Sequence, residues 1–308
     1  MGIFSSKLVI ETNLESDMNN QRCINCPSSK NAYEWHLNDK YDSVLKKAER
    51  FRLQYKELYS ERHCLIKFFF RPDNTIQDLI YALKKGYLDY IEKSTDLTTW
   101  KEILENFEFA SEYNDLGYVL YAYTSSANFT GMINKNMAKN TYHEFTLYCT
   151  SLNCIALSQT QDSIQIFLAM MFHPSLDKYI CEGHFTVYRG SVINDQKLLD
   201  GYKNDSIIIT TTFLSTSTDS DVANKYIDNN SVETNQISLL CTYHIHNERR
   251  TSLYLAGLSK YSEEKEVLIY PYVPFRIISI QRYTEEKRII VILEEIDDIE
   301  NNNTCNYV

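Results

Sequence analysis

Apolar residues recur every three or four positions through the first half of the chain, a spacing typical of helices packed on one face. The first residues, 1–38, are polar and poorly periodic, and we expect them to form a mobile arm. The spacing then predicts an amphipathic helix over 41–58, a second over 73–88 that begins at its capping residues, and a third over 96–104. The first half is therefore predicted to be helical.

After about residue 180 the period changes, because β-branched and aromatic residues begin to alternate in short runs. This pattern predicts strands at 184–189, 206–214, 236–246, 266–270, 275–283 and 288–296. A Thr-Glu-Glu-Lys turn joins the last two. Since helices do not alternate with these strands, we predict an α+β fold in which amino-terminal helices pack on a mostly antiparallel, two-sheet β core.

Composition narrows the function classes. The 308 residues are 44% hydrophobic, which is ample for a buried core. A formal net charge of −10 argues against a nucleic-acid partner, and the 24 tyrosines favour strands and clefts. The chain has eight glycines and no Gly-x-Gly-x-x-Gly after any predicted strand, so a nucleotide would not be held as in a dinucleotide-binding fold.

The eight cysteines are too sparse for a disulfide scaffold of this length. Cys23 and Cys26 form a Cys-x-x-Cys pair, but His36, His63 and Cys64 supply no second clean pair of ligands. We therefore expect no metal site.

No signal peptide and no run of roughly eighteen apolar residues is present, which predicts a cytoplasmic protein. The first six residues, Met-Gly-Ile-Phe-Ser-Ser, fit the myristoylation pattern at Gly2, and this acyl chain is the one route to membrane contact that we expect. Cys305 lies fourth from the end, but Asn306 and Tyr307 replace the aliphatic pair of a prenylation box.

The first of three segments that could carry chemistry is the strand end at 186–190. Alternation places Arg189 on the same strand face as Val187, at the edge of a buried surface, where its guanidinium could bind a diphosphate or carboxylate through paired donors. Gly190 would let a ligand approach the backbone closely. Taken alone, the segment is more typical of a surface arginine at a turn.

The second segment is the hydroxyl-rich strand end at 212–217, just before a predicted helix. Ser217 or Asp219 could simply cap that helix. Ser215 shares a strand face with Phe213 and would point into whatever that face lines.

In the third segment, 262–271, Glu266 opens an otherwise apolar strand and Glu264 precedes it by two positions. This spacing puts both carboxylates on one side if the backbone is extended. A carboxylate turned into a hydrophobic face is costly unless it has partners, so Glu266 either faces solvent or serves a purpose. An isolated charged turn favours solvent.

Together, the three segments resemble the Arg-Ser-Glu signature of the arginine-specific mono-ADP-ribosyltransferases, which include toxin and ecto-enzyme branches. The resemblance covers about 74–296 and rests on Val-Tyr-Arg-Gly at 187–190, Phe-Leu-Ser-Thr-Ser at 213–217, Glu-Lys-Glu-Val-Leu-Ile-Tyr-Pro at 264–271, Phe-Arg-Ile-Ile-Ser-Ile at 275–280, Tyr-Ala-Tyr-Thr at 121–124 and Ile-Asn at 133–134. It implies a core of the ADP-ribosyltransferase type, with NAD as co-substrate and no metal.

The resemblance also implies roles at the NAD site. Arg189 would hold the NAD phosphates and ribose, and the Gly190 backbone would meet the nicotinamide amide. Ser215 would steady the catalytic glutamate and the nicotinamide ribose. Glu266 would bind the ribose 2′-hydroxyl and stabilise positive charge as the glycosidic bond breaks. Tyr226 is the candidate aromatic residue, expected on the loop after the serine motif, for stacking on nicotinamide.

Glu264 would orient the acceptor guanidinium and help to deprotonate it. The branch of the family that modifies asparagine has a glutamine there, so Glu264 is the residue that indicates arginine. The implied activity is transfer of ADP-ribose from NAD to arginine on a protein of unknown identity, with release of nicotinamide.

The expected organisation is an arm and helical extension of unknown role at 1–73, a catalytic domain at 74–296 and a polar tail at 297–308. Three alternatives stay open. The first is an NAD glycohydrolase that uses the same site, and the second is a catalytically silent NAD-binding module. The third is a sugar-cleaving hydrolase with paired carboxylates, which only the two glutamates support.

Overall fold

A computed structural model describes residues 35–37, 75–89, 96–146, 166–168, 170–181, 183–193, 199, 202–230, 236–246, 250–255, 257–259 and 261–296. The predicted helix over 41–58 lies outside the described residues, as do Gly2, the Cys23–Cys26 pair and Cys305. Within the described part of the chain, no helix is long and apolar enough to cross a membrane.

The described residues include several helices before the main run of strands. Those with defined ends are α1 at Ile76–Leu83, which continues as a π-helical turn at Lys84–Leu88, α2 at Leu97–Glu112, α3 at Gly117–Ser125 and α4 at Ala127–Thr146. The helix α5 at Ser220–Asn230 comes later in the chain.

The predicted starts of α1 and α2 are confirmed by their caps. The Thr75 hydroxyl accepts a hydrogen bond from the Asp78 amide, and the Asp78 carboxylate accepts one from the Thr75 amide, which forms a capping box. The Asp96 carboxylate accepts from the Thr99 amide at 3.0 Å. Local sequence therefore sets where these helices begin.

The described residues form nine strands. They are β1 at Trp35–Leu37, β2 at Phe185–Ile193, β3 at Ile207–Thr210, β4 at Leu214–Ser217, β5 at Ile237–Ile245, β6 at Ser252–Tyr254, β7 at Glu266–Ile269, β8 at Pro274–Tyr283 and β9 at Arg288–Glu295. The sequence did not predict β1, which falls at the end of the expected mobile arm and pairs with β3, or the three-residue β6. Both strands lie at sheet edges and are too short to show alternation.

Hydrogen bonds link the strands in the order β1-β3-β8-β9-β5-β2-β4-β7-β6. The strands β5 and β9 run parallel, and the other described pairings are antiparallel, so the predicted α+β class with a mostly antiparallel sheet is confirmed. The predicted division into two sheets is not confirmed, because β2 and β4 join the two halves through one residue pair, Tyr188 and Ser217.

The strand predicted at 206–214 is wrong in one respect, because it is two strands with different partners. The first, β3, pairs with β8, whereas β4 pairs with β7. At the break, the Thr210 hydroxyl donates to the Tyr270 carbonyl at 2.9 Å, and the Tyr272 amide donates to the Thr210 carbonyl at 2.7 Å. These bonds tie the end of β3 to the 270–272 segment at the point where the chain changes partner strands.

The core extends from the helices into the sheet. Tyr123 on α3 and Phe167 pack against Phe213, with ring centroids 5.7 and 6.1 Å from it. Asn134 on α4 adds a buried polar bridge, since it accepts from the Tyr123 hydroxyl and donates to the Phe213 carbonyl. Phe213 lies two residues before Ser215, so the helical layer supports the strand end that carries the site.

Candidate active site

The three signature segments lie on neighbouring strands. Arg189 is on β2, Ser215 on β4 and Glu266 on β7, and the sheet order places these strands side by side. The register pairs Ser217 with both Tyr188 and Glu266, next to the junction between the two halves of the sheet. Residues 77 positions apart in the sequence therefore meet at this junction.

A chain of hydrogen bonds connects the three side chains. Arg189 is only 4% exposed, and its Nη1 donates to the Ser215 carbonyl at 2.7 Å. The Ser215 hydroxyl donates to Oε1 of Glu266 at 2.6 Å. Burial of Arg189 rejects the interpretation of this segment as a surface arginine at a turn.

Glu266 is fully buried, so the expectation that an isolated charged turn would face solvent is wrong for it. Burial raises the pKa of Glu266 to about 7, although the Ser215 and Ser259 hydroxyls and the Arg189 charge act to lower it. Its Oε2 has no hydrogen-bond partner among the described residues. One carboxylate oxygen is thus held by Ser215, and the other is buried without a hydrogen bond among the described residues.

Glu264 lies at the end of a short 3₁₀ turn, Ser262–Glu264, and not on an extended segment. Lys265 follows with a left-handed backbone, φ 46°, so the two carboxylates are not brought together by the two-residue repeat of a strand. The turn itself brings the two carboxylates close together. Burial is the main cause that raises the pKa of Glu264 to about 7, and the charges of Glu266 and Glu263 also act to raise it. Its Oε2 is buried and has no hydrogen-bond partner within the described segments.

Gly190 is required by packing. A Cβ there would lie 2.2 Å from the Ala223 carbonyl oxygen and 2.9 Å from Cγ1 of Ile227, both on α5. The space that we expected a ligand to use is therefore occupied by the helix on that side. The contact of its backbone with nicotinamide stays a prediction.

Tyr226 is half-buried and belongs to α5, so its expected location on a loop is wrong. The helix begins only three residues after Ser217, which leaves a short connection where a loop was expected. Its stacking on nicotinamide stays a prediction.

Ser259 is the residue near Glu266 that sequence analysis missed. It is 8% exposed, and its hydroxyl helps to lower the pKa of Glu266. It lies seven positions before Glu266 in a connecting segment without alternation, so no local pattern could identify it. Among the described residues, no group of three or more His, Cys, Asp or Glu side chains is placed to hold a metal ion.

Comparison with protein families assigns the chain. The family model described as ART, NAD:arginine ADP-ribosyltransferase, matches residues 82–301, more than half of the chain. The chain belongs to this family. Its members use NAD as co-substrate, and the chemistry of this ADP-ribosyltransferase is accordingly NAD-dependent mono-ADP-ribosyl transfer.

Similar solved structures are bacterial ADP-ribosyltransferases. The Vis toxin from Vibrio splendidus is 20% identical, with 76% of this chain and 92% of that chain covered and a TM-score of 0.37. Exoenzyme S from Pseudomonas aeruginosa, in complex with human 14-3-3 protein beta and bound to carba-NAD, is 14% identical, with 75% and 94% covered and a TM-score of 0.44. An ADP-ribosyltransferase from Clostridium botulinum is 12% identical, with 66% of this chain and 96% of that chain covered and a TM-score of 0.40. None of the curated proteins compared with the chain matches it.

Proposed function

We propose that this ADP-ribosyltransferase places ADP-ribose on arginine side chains of a protein acceptor and releases nicotinamide. The observation that carries the proposal is the second carboxylate, Glu264. It lies close enough to Glu266 for their charges to interact, and it presents an oxygen without a hydrogen-bond partner among the described residues. A carboxylate is a matched partner for a guanidinium, which offers paired donors.

On the NAD side, the proposed roles follow from the hydrogen bonds that connect Arg189, Ser215 and Glu266. Arg189 is buried and positively charged, which suits it to the NAD phosphates and ribose. The Oε2 of Glu266, which has no hydrogen-bond partner in the described segments, would accept a hydrogen bond from the ribose 2′-hydroxyl, while Ser215 keeps Oε1 in place. When the bond between the ribose and nicotinamide breaks, the electron pair leaves with nicotinamide. The negative charge of Glu266 then stabilises the positive ribosyl centre.

On the acceptor side, the guanidinium must lose a proton as its nitrogen attacks the ribosyl carbon. An ordinary glutamate is a weak base, whereas burial and the charge of Glu266 raise the pKa of Glu264 to about 7. Glu264 would therefore accept that proton more readily near neutral pH. The new carbon–nitrogen bond replaces the one lost to nicotinamide.

The test uses the full chain with NAD and agmatine, a small guanidinium acceptor. We expect an ADP-ribosyl-agmatine adduct together with released nicotinamide. Glu266→Gln is expected to lower both products by about a hundredfold or more, since it removes the charge that faces the ribosyl centre. Both products are measured by chromatography.

Glu264→Gln should be selective, losing transfer to agmatine while keeping part of the nicotinamide release. Glu286→Gln is the control, because Glu286 is exposed in the turn between β8 and β9 and does not affect the pKa of Glu264, and this variant should still form both products. Nicotinamide release without any adduct from the wild type would replace the transferase proposal with the glycohydrolase one. Equal loss of both products in Glu264→Gln would overturn the role given to Glu264.

A further inference from the structure

The turn that carries Glu264 is bonded to the corner between β4 and α5. The Ser217 hydroxyl donates to the Glu264 carbonyl at 2.6 Å and accepts from the Asp219 amide at 2.9 Å. Ser217 is fully buried, so water does not compete for either bond. One hydroxyl thus connects the end of β4, the start of the following helix and the backbone of Glu264.

Two further contacts hold the same turn. The Thr218 amide donates to the Lys265 carbonyl at 3.3 Å, and Nζ of Lys265 lies 3.6 Å from Oδ2 of Asp219. Lys265 keeps a left-handed backbone that costs a non-glycine residue of the order of 1 kcal/mol. Such a conformation persists only where surrounding contacts impose it.

The two glutamates are therefore held by different hydroxyls of one strand end. Ser215 bonds the side chain of Glu266, whereas Ser217 bonds the main chain of Glu264. Thr216, between them, donates to the Val267 carbonyl at 2.7 Å and touches neither carboxylate by a hydrogen bond among those described. The hydroxyl that bonds the Glu264 backbone is thus not the one that bonds the Glu266 carboxylate.

We infer that Ser217 is a positioning residue for the acceptor step, which sets how ADP-ribose is divided between an arginine side chain and water. The inference rests on the proposed function, since it assigns Ser217 to the carboxylate that receives the guanidinium proton. The ribosyl centre reacts either with the guanidinium nitrogen, whose proton goes to Glu264, or with a water molecule. A Glu264 that is no longer bonded through its carbonyl leaves the guanidinium poorly aligned, and water then captures a larger share.

The test is Ser217→Ala in the full chain, with NAD and agmatine. We expect transfer to agmatine to fall by about tenfold or more, because small displacements of a catalytic group have effects of this size. Nicotinamide release without acceptor should fall less than about threefold, since Ser215 still holds Glu266. A purely structural role would lower both rates by the same factor. Ser217→Thr keeps the hydroxyl and should restore most of the wild-type ratio of transfer to agmatine over nicotinamide release.

Thr216→Val is the matched control, because it removes a buried hydroxyl hydrogen bond from the same strand end and leaves the Glu264 turn bonded. Its ratio of transfer to hydrolysis should equal that of the wild type. Asp219→Asn is a milder second variant that remains informative if Ser217→Ala does not fold. It removes the charge next to Lys265, keeps an oxygen for the Asp221 amide, and should lower the ratio in the same direction.

Hydrogen exchange of the 261–265 backbone separates the possible failures. Ser217→Ala should speed exchange at the Glu264 and Lys265 amides, which bond within the turn, and leave β7 unchanged. Unchanged exchange, or an unchanged ratio, would overturn the inference while the proposed function stands. A wild type that makes no agmatine adduct would overturn the proposed function, and faster exchange would still establish the anchoring.

Discussion

At the scale of single residues, Glu266 is a carboxylate whose surroundings oppose its ionisation. It is fully buried, and the Ser215 hydroxyl and the Arg189 charge only partly offset the lost solvation. An ionised carboxylate at this buried position makes the folded protein less stable than a neutral side chain would. Such a cost is typical of catalytic sites, where function and stability compete.

This cost gives a pH-dependent prediction. Because the pKa of Glu266 is raised from 4.5 to about 7 in the folded state, the native protein binds more protons than the unfolded chain between these values. The contribution of Glu266 to stability therefore falls as pH rises through this window, and the full penalty is present above about pH 7. Glu266→Gln, which stays neutral, should be more stable than the wild type at pH 8 by about 3 kcal/mol.

Denaturant unfolding of the wild type and Glu266→Gln from pH 5 to pH 8 measures the effect. The difference in the free energy of unfolding should shrink as pH falls toward the unfolded-state value of 4.5. Glu263→Gln, at an exposed position, is the control and should show little change. A Glu266→Gln difference that is the same at every pH would contradict the origin in ionisation.

At the scale of elements, the site depends on the close approach of α5 to β2. Alternation correctly placed Arg189 on a buried face, and the hydroxyl-rich segment correctly indicated a strand end followed by a helix. The split of 206–214 into β3 and β4 was not predictable, because an apolar run looks the same whether or not it changes partner strands midway. The left-handed Lys265 also had no local signature, since glycine is the residue that usually marks such a position.

Gly190→Ala tests the approach of α5 to β2. The new Cβ would meet a backbone carbonyl, which cannot rotate away, so we expect a loss of about 2 to 3 kcal/mol or more in the free energy of unfolding. Gly131→Ala, within α4, is the matched control, because its Cβ would have no atom within 4 Å. That change should stabilise the protein by up to about 1 kcal/mol through helix propensity. Equal effects of the two changes would contradict the packing explanation for Gly190.

At the scale of the whole molecule, the helices and the sheet share one core. The rings of Tyr123, Phe213 and Tyr270 lead from α3 to the residue just before β4 and the residue just after β7, and Asn134 bonds the helical layer to the chain just before Ser215. The sequence predicted both layers but not this connection, which joins positions 79 residues apart.

Asn134→Ala tests whether this connection makes the two layers unfold together. It leaves the Tyr123 hydroxyl and the Phe213 carbonyl without this buried partner, and we expect a loss of about 1 to 3 kcal/mol. The chain has two tryptophans, with Trp35 on β1 and Trp100 on α2. In urea unfolding of variants that retain only one of the two tryptophans, Asn134→Ala should shift the unfolding midpoint equally, whether the fluorescence of Trp35 or that of Trp100 is followed.

Asn136→Ala is the control, because Asn136 is also on α4 but donates to the Tyr87 hydroxyl within the helical layer, at a half-buried position. We expect it to cost less than about 1.5 kcal/mol. A shift in Asn134→Ala that only Trp100 reports would contradict the idea that the layers unfold as one unit.

The sequence by itself determined the helix starts, most of the strands, the fold class and the order of the Arg, Ser and Glu segments, because capping and alternation act between near neighbours in the chain. Only the tertiary structure decided that Glu266 is buried and that a turn, not an extended strand, brings Glu264 near it. Only the fold showed that Gly190 faces a helix and that Ser217 bonds the Glu264 backbone. Each of these depends on contacts between distant segments, and burial, pKa and close packing arise only when such segments meet.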